Sequence, residues 1–254
     1  MDYDYTYKKV NIGHRGLAMG YLHRKGRGKT IVFVHGIGTH SGSWTKLINL
    51  LPRTMNVYAI DLLGHGRSHT PRAFKISLQI KALEGFVSKL RLSDFYLYGH
   101  SYGGWLSLSY ALKNGGVRGL ILEDSSGLKS HFDEIKRKNA KERYIRTVMD
   151  NINGVKGVDQ KVVRKTMETM FGDDHLTEET LKKMKCRTLI VWGAKDSRIP
   201  LRYGSMFHKH IKNSVFKVVK NAKHTPHYTH PEIVSELIKN FVEEWKRGLR
   251  KGFR

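Results

Sequence analysis

Short apolar runs alternate along this chain with longer segments in which apolar residues recur every three or four positions. The short runs are rich in β-branched and aromatic residues, which is typical of buried strands: TIVFVHG (30–36), NVYAIDLLGHG (56–66), FYLYG (95–99), VRGLILED (117–124) and RTLIVWG (187–193). The segments SWTKLINLLPR, SLQIKALEGFVSKL and WLSLSYALKN lie between them and have the spacing of amphipathic helices. Strands separated by helices of this length pair in parallel, because a tight turn cannot join parallel neighbours. The pattern predicts an α/β fold with a mostly parallel sheet and helices on both faces.

One region interrupts the alternation. Between residues 128 and 185 the strands disappear, and HFDEIKRKNAKERYIRTVMDNI, DQKVVRKTMETMF and TEETLKKM have polar, helical patterns. The run CRTLIVWG then resumes the sheet. We therefore expect one core domain formed by residues 1–127 and 186–254, with residues 128–185 inserted as a helical cap, or lid, over the edge of the sheet.

Composition limits the class of protein. The 254 residues are 39% hydrophobic and 27% charged, which suits a folded globular protein and excludes a disordered chain. No apolar run approaches the roughly 18 residues of a membrane-spanning helix, and the acidic, aromatic opening MDYDYTYKKV differs from a signal peptide. Cys186 is the single cysteine, so no intrachain disulfide can form. We expect a cytoplasmic protein without a membrane span.

The formal net charge of +24 raises the alternative of a protein that binds nucleic acid or a membrane surface. The sequence has no zinc-finger spacing, RNA-binding signature or aromatic-basic platform. A lysine-rich solvated surface accounts for the charge. We expect weak, salt-sensitive binding of polyanions and no specific nucleic-acid partner.

A serine stands at an abrupt junction in LYGHSYGGW (97–105), between a predicted strand and a predicted helix. A serine hydroxyl is a poor nucleophile until a base takes its proton, and it must protrude to meet both base and substrate. A sharp strand-to-helix turn presents Ser101 in this way but leaves room only for small neighbours, here Gly99 and Gly103. The amides at the start of the helix lie near any developing oxyanion. The pattern predicts that Ser101 is a nucleophile.

Together with four further segments, this junction makes the chain resemble the α/β-hydrolase family over most of its length outside residues 128–185. VFVHGIGTHSGSW resembles the family's HG loop, and DLLGHGRS (61–68) a stretch common in the family that we interpret as structural. The resemblance implies a mostly parallel sheet of roughly eight strands. It also implies an oxyanion hole formed by the backbone N–H groups of Ile37 and Tyr102.

The other two segments supply the partners of the serine. LIVWGAKDSRIP resembles the family's acid loop and points to Asp196, and NAKHTPHYTHPEIV resembles its histidine loop and points to His224. The order Ser101, Asp196, His224 is that of this family. The resemblance implies that Ser101 attacks an acyl carbon, that His224 accepts and returns its proton, and that Asp196 orients the imidazole. It implies no metal and no organic cofactor.

Two alternatives concern other side chains near these motifs. Asp124 also ends a strand and could supply the acid, but Asp196 matches the usual acid loop better, and we expect Asp124 to cap or brace the start of the insertion. His224, His227 and His230 recur at three-residue intervals, but we reject a metal site there because Pro226 argues against a helix.

The expected function is that of a cytosolic serine carboxylesterase acting on small or medium acyl esters through an acyl-enzyme. A C–C bond hydrolase or a thioesterase of the same fold is the enzymatic alternative. A small-molecule receptor or polyanion-binding protein that merely retains the fold is the alternative from another class.

Overall fold

In the computed structural model, residues 5–14, 16–172 and 174–251 are described, with side chains as far as Glu243. The last three residues of the expected core range, 252–254, lie outside this part. One sheet contains the strands β1 (Thr6–Asn11), β2 (Ala18–Arg24), β3 (Thr30–Val34), β4 (Asn56–Ile60), β5 (Phe95–His100), β6 (Val117–Glu123), β7 (Arg187–Gly193) and β8 (Ser214–Val219).

The strand order is β1-β2-β4-β3-β5-β6-β7-β8. Strand β2 runs antiparallel to both β1 and β4, and every other neighbouring pair is parallel. The predicted fold class, a mostly parallel sheet of about eight strands, is confirmed.

Helices connect the strands. In chain order they are α1 (Thr45–Leu50, after a 3₁₀ turn at Ser41–Trp44), α2 (Ile76–Lys89), α3 (Tyr102–Lys113), α4 (Lys129–Arg137), α5 (Lys141–Ile152), α6 (Gln160–Met170), α7 (Glu178–Lys182), α8 (Leu201–His210), α9 (Pro226–Thr229) and α10 (Pro231–Lys251). None of these helices, within the described residues, has the length and apolar character needed to cross a bilayer.

Both faces of the sheet are covered, which explains why its central strands are almost wholly apolar. Side chains alternate between the faces along β3. Ile31 and Phe33 pack with α1 and α10, whereas Val32 and Val34 pack with α2 and α3 on the opposite face. All four side chains are fully buried.

Helices α4–α7 lie between β6 and β7, in the segment where the strand pattern disappears. Each contributes buried apolar side chains that join the cluster on the α2 and α3 side of the sheet, among them Phe132, Ile145, Met167 and Leu181. The end of α5 reaches the loop after β3. A Cβ built on Gly38 would lie 2.5 Å from Cγ2 of Ile152.

The interpretation of Pro226 as an argument against a helix in the histidine loop is wrong. Residues Pro226–Thr229 form the single helical turn α9, with Pro226 at its start. Proline is tolerated there because the first N–H groups of a helix have no intrahelical acceptor.

Candidate active site

Polar side chains gather where four neighbouring parallel strands end. Ser101 follows β5, Glu123 ends β6 and Asp124 follows it. Asp196 lies in the loop after β7, and His224 lies in the loop after β8. The carboxyl ends of parallel strands share one edge of the sheet, so residues far apart in sequence meet there.

The turn that carries Ser101 is strained and crowded. Ser101 has φ 53° and ψ −117°, outside the regions that side-chain-bearing residues prefer. A Cβ on Gly99 would lie 2.3 Å from the carbonyl oxygen of Gly103, and one on Gly103 would lie 2.3 Å from that of Val34. Both contacts would be with backbone, so neither position has room for a side chain.

The structure brings the three predicted catalytic residues into one hydrogen-bonded chain. Nε2 of His224 lies 3.0 Å from Oγ of Ser101, and Nδ1 lies 2.7 Å from Oδ2 of Asp196. Because a carboxylate can only accept, Nδ1–H of His224 donates to Asp196. Nε2 is then the ring nitrogen that can accept the hydrogen bond from the serine hydroxyl. All three residues are less than 9% exposed.

Asp196 is itself held in place. Its Oδ1 accepts hydrogen bonds from the backbone N–H groups of Arg198 (2.8 Å) and Ile199 (3.1 Å). One carboxylate oxygen therefore anchors the acid loop and the other faces the imidazole.

The two predicted oxyanion donors lie on backbone segments that flank Ser101. Tyr102 is the first residue of α3. Ile37 follows Gly36, whose Cα abuts the serine, since a Cβ there would lie 3.2 Å from Cβ of Ser101.

A buried histidine shapes the loop that carries Ile37. The N–H of Leu62 donates to Nε2 of His35 (3.0 Å), so Nδ1 bears the proton and donates to the carbonyl of Gly36 (2.7 Å). Burial, with a further contribution from His65, lowers the pKa of His35 to about 3. The ring is neutral at pH 7 and serves as a fixed hydrogen-bonding brace.

His100 fixes the histidine loop from the strand side. Its Nε2 donates to the carbonyl oxygen of His224 at 2.7 Å. Burial, followed by the neighbouring rings of His227 and His224, holds the pKa of His100 well below its usual value. The side chain is thus a neutral donor that positions the backbone of His224.

A second buried network was not anticipated from the sequence. Oε1 of Glu123 accepts from the backbone N–H of His227 (2.9 Å) and from its Nδ1 (2.8 Å), while Oε2 accepts from the hydroxyl of Tyr98. The carbonyl of Glu123 also accepts from the N–H of Ser101 (2.9 Å). One residue therefore links the serine turn to the histidine loop. The available signal was a glutamate at the end of an apolar strand, which requires a buried partner.

Asp124 does not brace the start of the insertion, and that expectation is wrong. Its Oδ1 accepts from the N–H of Gly193 (2.9 Å) and so joins the ends of β6 and β7, while Oδ2 is buried without a hydrogen-bond partner among the described residues. Burial, then the charges of Asp196 and Glu123, raises the pKa of Asp124 well above its usual value. It is Asp196 that contacts His224.

The same cluster contains the donor types of a metal site. Ligand atoms of His100, Glu123 and His227 lie within 4.8 Å of one another. Nδ1 of His227 and Oε1 of Glu123 are hydrogen-bonded to each other, and Nε2 of His100 binds a backbone carbonyl. The described contacts are those of a hydrogen-bonded network that holds two loops.

A strand–serine–helix turn, a hydrogen-bonded acid–histidine–serine chain and a mostly parallel sheet define a class of hydrolase folds. The sequence model of the Alpha/beta hydrolase family matches residues 31–237. The chain belongs to this family.

Two curated relatives align along nearly the whole chain. Uncharacterized hydrolase YugF of Bacillus subtilis is 28% identical over 260 residues, covering 90% of this chain and 95% of the relative. Monoacylglycerol lipase ABHD6 of Mus musculus is 23% identical over 258 residues, covering 86% and 77%.

Among solved structures, a thermophilic esterase from Thermogutta terrifontis is similar in fold. It superposes with a TM-score of 0.80 at 21% identity, covering 94% of this chain and 98% of the esterase.

Proposed function

We propose that this chain is a serine hydrolase that cleaves carboxylic esters of small or medium acyl chains. The observation that carries the proposal is the continuous hydrogen-bonded path from Oγ of Ser101 through His224 to Asp196. The similarity to a monoacylglycerol lipase and to an esterase supports an ester as the substrate.

In the proposed first half-reaction, Oγ of Ser101 attacks the ester carbonyl carbon while Nε2 of His224 takes the hydroxyl proton. Asp196 stabilises the resulting imidazolium. The N–H groups of Ile37 and Tyr102 stabilise the oxyanion that forms. When the tetrahedral intermediate collapses, the alcohol leaves with the proton from His224, and the acyl group stays on Ser101.

In the second half-reaction, His224 removes a proton from water, and the resulting nucleophile attacks the acyl-enzyme. Collapse returns the proton to Oγ of Ser101 and releases the carboxylic acid. Each step uses groups of this chain and water.

We assign residues 128–185 the role of a cap over this site. Contact between Ile152 at the end of α5 and Gly38 in the oxyanion loop supports the assignment. A cap in this position would shield the reacting atoms from bulk water, which strengthens the electrostatic interactions at the site.

The test is a stopped-flow assay on p-nitrophenyl esters graded by acyl length. We expect a burst of p-nitrophenol equal to the enzyme concentration, followed by steady turnover. The steady rate should fall once the acyl chain is longer than the site can accommodate. Ser101→Ala should abolish both phases, whereas Ser109→Ala, a buried serine on α3, should retain them. Turnover confined to vinylogous diketones or to thioesters would contradict the ester assignment.

A further inference from the structure

A cavity of about 280 Å³ lies at the seam between the insertion and the acid loop. One wall comes from α4 and α5, including His131 and Tyr144, and the other comes from Ser197, Arg198 and Arg202. Its volume is close to the lower end of the roughly 300–1,000 Å³ of ligand pockets, so it suits one small group of a ligand.

The lining of the cavity is strongly cationic. Lys138, Arg143, Arg198 and Arg202 contribute to it, and Glu134 is its one acidic residue. Burial lowers the pKa of His131 to about 4, so this ring adds no charge at pH 7.

Glu134, the single acidic residue of the lining, already forms ion pairs with two of the cations. Oε1 of Glu134 pairs with Lys138 at 2.5 Å, and Oε2 pairs with Arg202 at 2.6 Å and accepts from the hydroxyl of Tyr203. Glu134 therefore neutralises part of the charge contributed by Lys138 and Arg202. Among the described residues, no carboxylate forms an ion pair with the guanidinium of Arg143 or of Arg198.

Arg198 is the more informative of these two cations because it is partly buried, whereas Arg143 is exposed. Burial lowers the pKa of Arg198, but a guanidinium remains charged in proteins. The nearby charge of Asp196 opposes this effect of burial, but among the described residues no carboxylate forms an ion pair with the guanidinium. A partly buried cation in this situation favours an anionic ligand, and its planar fork matches a carboxylate or phosphate group.

Arg198 also connects the cavity to the proposed reaction centre. Its backbone N–H binds Oδ1 of Asp196, whose other oxygen contacts His224. A ligand group held by the side chain would therefore lie beside the acid of the triad and beneath helices of the proposed cap.

We infer that this cavity binds an anionic group, a carboxylate or a phosphate, on the ester substrate, and that Arg198 is the residue that selects it. The inference rests on the proposed ester hydrolysis and narrows its substrate class from carboxylic esters of small or medium acyl chains to those that also have an anionic group.

The test compares p-nitrophenyl pentanoate with the mono-p-nitrophenyl ester of glutaric acid, which has the same acyl carbons but ends in a carboxylate. Wild-type protein should have the higher kcat/KM for the charged ester. Arg198→Met should lower the ratio of charged to neutral kcat/KM about tenfold, corresponding to about 1.4 kcal/mol. Arg146→Met removes the same charge from an exposed position on α5 that does not line the cavity, and it should leave the ratio unchanged.

A binding measurement separates this inference from the proposed function. Glutarate and inorganic phosphate, titrated separately into Ser101→Ala protein by calorimetry, report the anion site without turnover. At least one should bind, and adding Arg198→Met should abolish binding whereas adding Arg146→Met should not. The better binder distinguishes a carboxylate from a phosphate group.

If no ester is hydrolysed but an anion binds through Arg198, the proposed function fails and the anion site stands. If esters are hydrolysed while Arg198→Met and Arg146→Met alter the charged-to-neutral ratio equally, or not at all, the inference is overturned. Failure of both anions to bind would also overturn it.

Discussion

His224 is fixed at three separate atoms. Its Nδ1 contacts Asp196, its Nε2 contacts Ser101, and its carbonyl oxygen accepts from His100. Ring orientation and backbone position are thus set by different partners. Such positioning matters because a displacement of about 1 Å at a reacting group can lower the rate about 100-fold.

The choice between two neighbouring acids can be tested residue by residue. Asp196→Asn should lower kcat about 10⁴-fold, since the amide can no longer hold the imidazole in its working tautomer. Asp124→Asn should leave kcat close to wild type, because Asp124 accepts a hydrogen bond from Gly193 and, among the described residues, forms none with His224, and the amide oxygen can still accept that N–H. Steady-state kinetics on one p-nitrophenyl ester measures both. The reverse ranking would assign the acid to Asp124.

At the scale of elements, the serine turn depends on close approach of two backbone segments. Gly99→Ala should destabilise the protein by about 1–3 kcal/mol, because its Cβ would overlap the carbonyl of Gly103 and backbone cannot easily move aside. Gly115→Ala is the matched control, since among the described residues no heavy atom beyond its chain neighbours lies within 4 Å of its Cβ position. Urea unfolding gives both values, and equal values would contradict the steric account.

Glu123 joins β6, the serine turn and the histidine loop. Glu123→Gln keeps an oxygen acceptor for the N–H of His227 but loses the carboxylate that its ring contacts, so we expect kcat to fall about tenfold or more with little change in KM. Glu236→Gln, in an exposed ion pair on α10, should leave both constants unchanged. An equal loss in folded fraction and activity would indicate a purely structural role, so unfolding curves accompany the kinetics.

The central strands and the helices α2 and α3 could be predicted because their apolar faces are buried. The outer strands β1 and β8 lacked this signal: TYKKVN is almost wholly exposed, and SVFKVV is mostly exposed or half-buried. An edge strand with little buried surface has no clear hydrophobic period.

The three residues of the proposed triad could be predicted because each lies in a recognisable local motif. The contact between Glu123 and His227 joins residues 104 positions apart, and it depends on where the chain returns to the sheet. No local spacing encodes that contact, and the same holds for the cavity around Arg198, which two distant segments form.

For the whole molecule, the net charge of +24 contrasts with several histidines kept neutral inside it. Burial lowers the pKa of His65 and of His131 to about 4 and that of His35 to about 3, with His100 also well below its usual value. These rings are neutral in the folded protein. Acidification therefore favours the unfolded chain, in which the rings bind protons more readily.

We therefore expect the free energy of unfolding to fall as pH drops from about 6.5 to about 4, by up to about 1.4 kcal/mol per pH unit for each such ring. The sign follows from the folded pKa values, which lie below the unfolded value near 6.5. The stabilising contribution of the neutral rings is thus complete above pH 6.5, and it is lost progressively as the pH falls toward their folded pKa values. Urea unfolding across this range measures the slope, and His65→Gln should reduce it. A slope unchanged by that substitution would contradict the assignment.

Covalent labelling with a fluorophosphonate tests the central claim most directly, because only an activated serine reacts. Intact-mass analysis should show one adduct per chain, and peptide mapping should place it on Ser101. Ser101→Ala should remain unlabelled, and Ser109→Ala should label as wild type does. Folded wild-type protein that resists the reagent, or an adduct that persists in Ser101→Ala, would contradict the account.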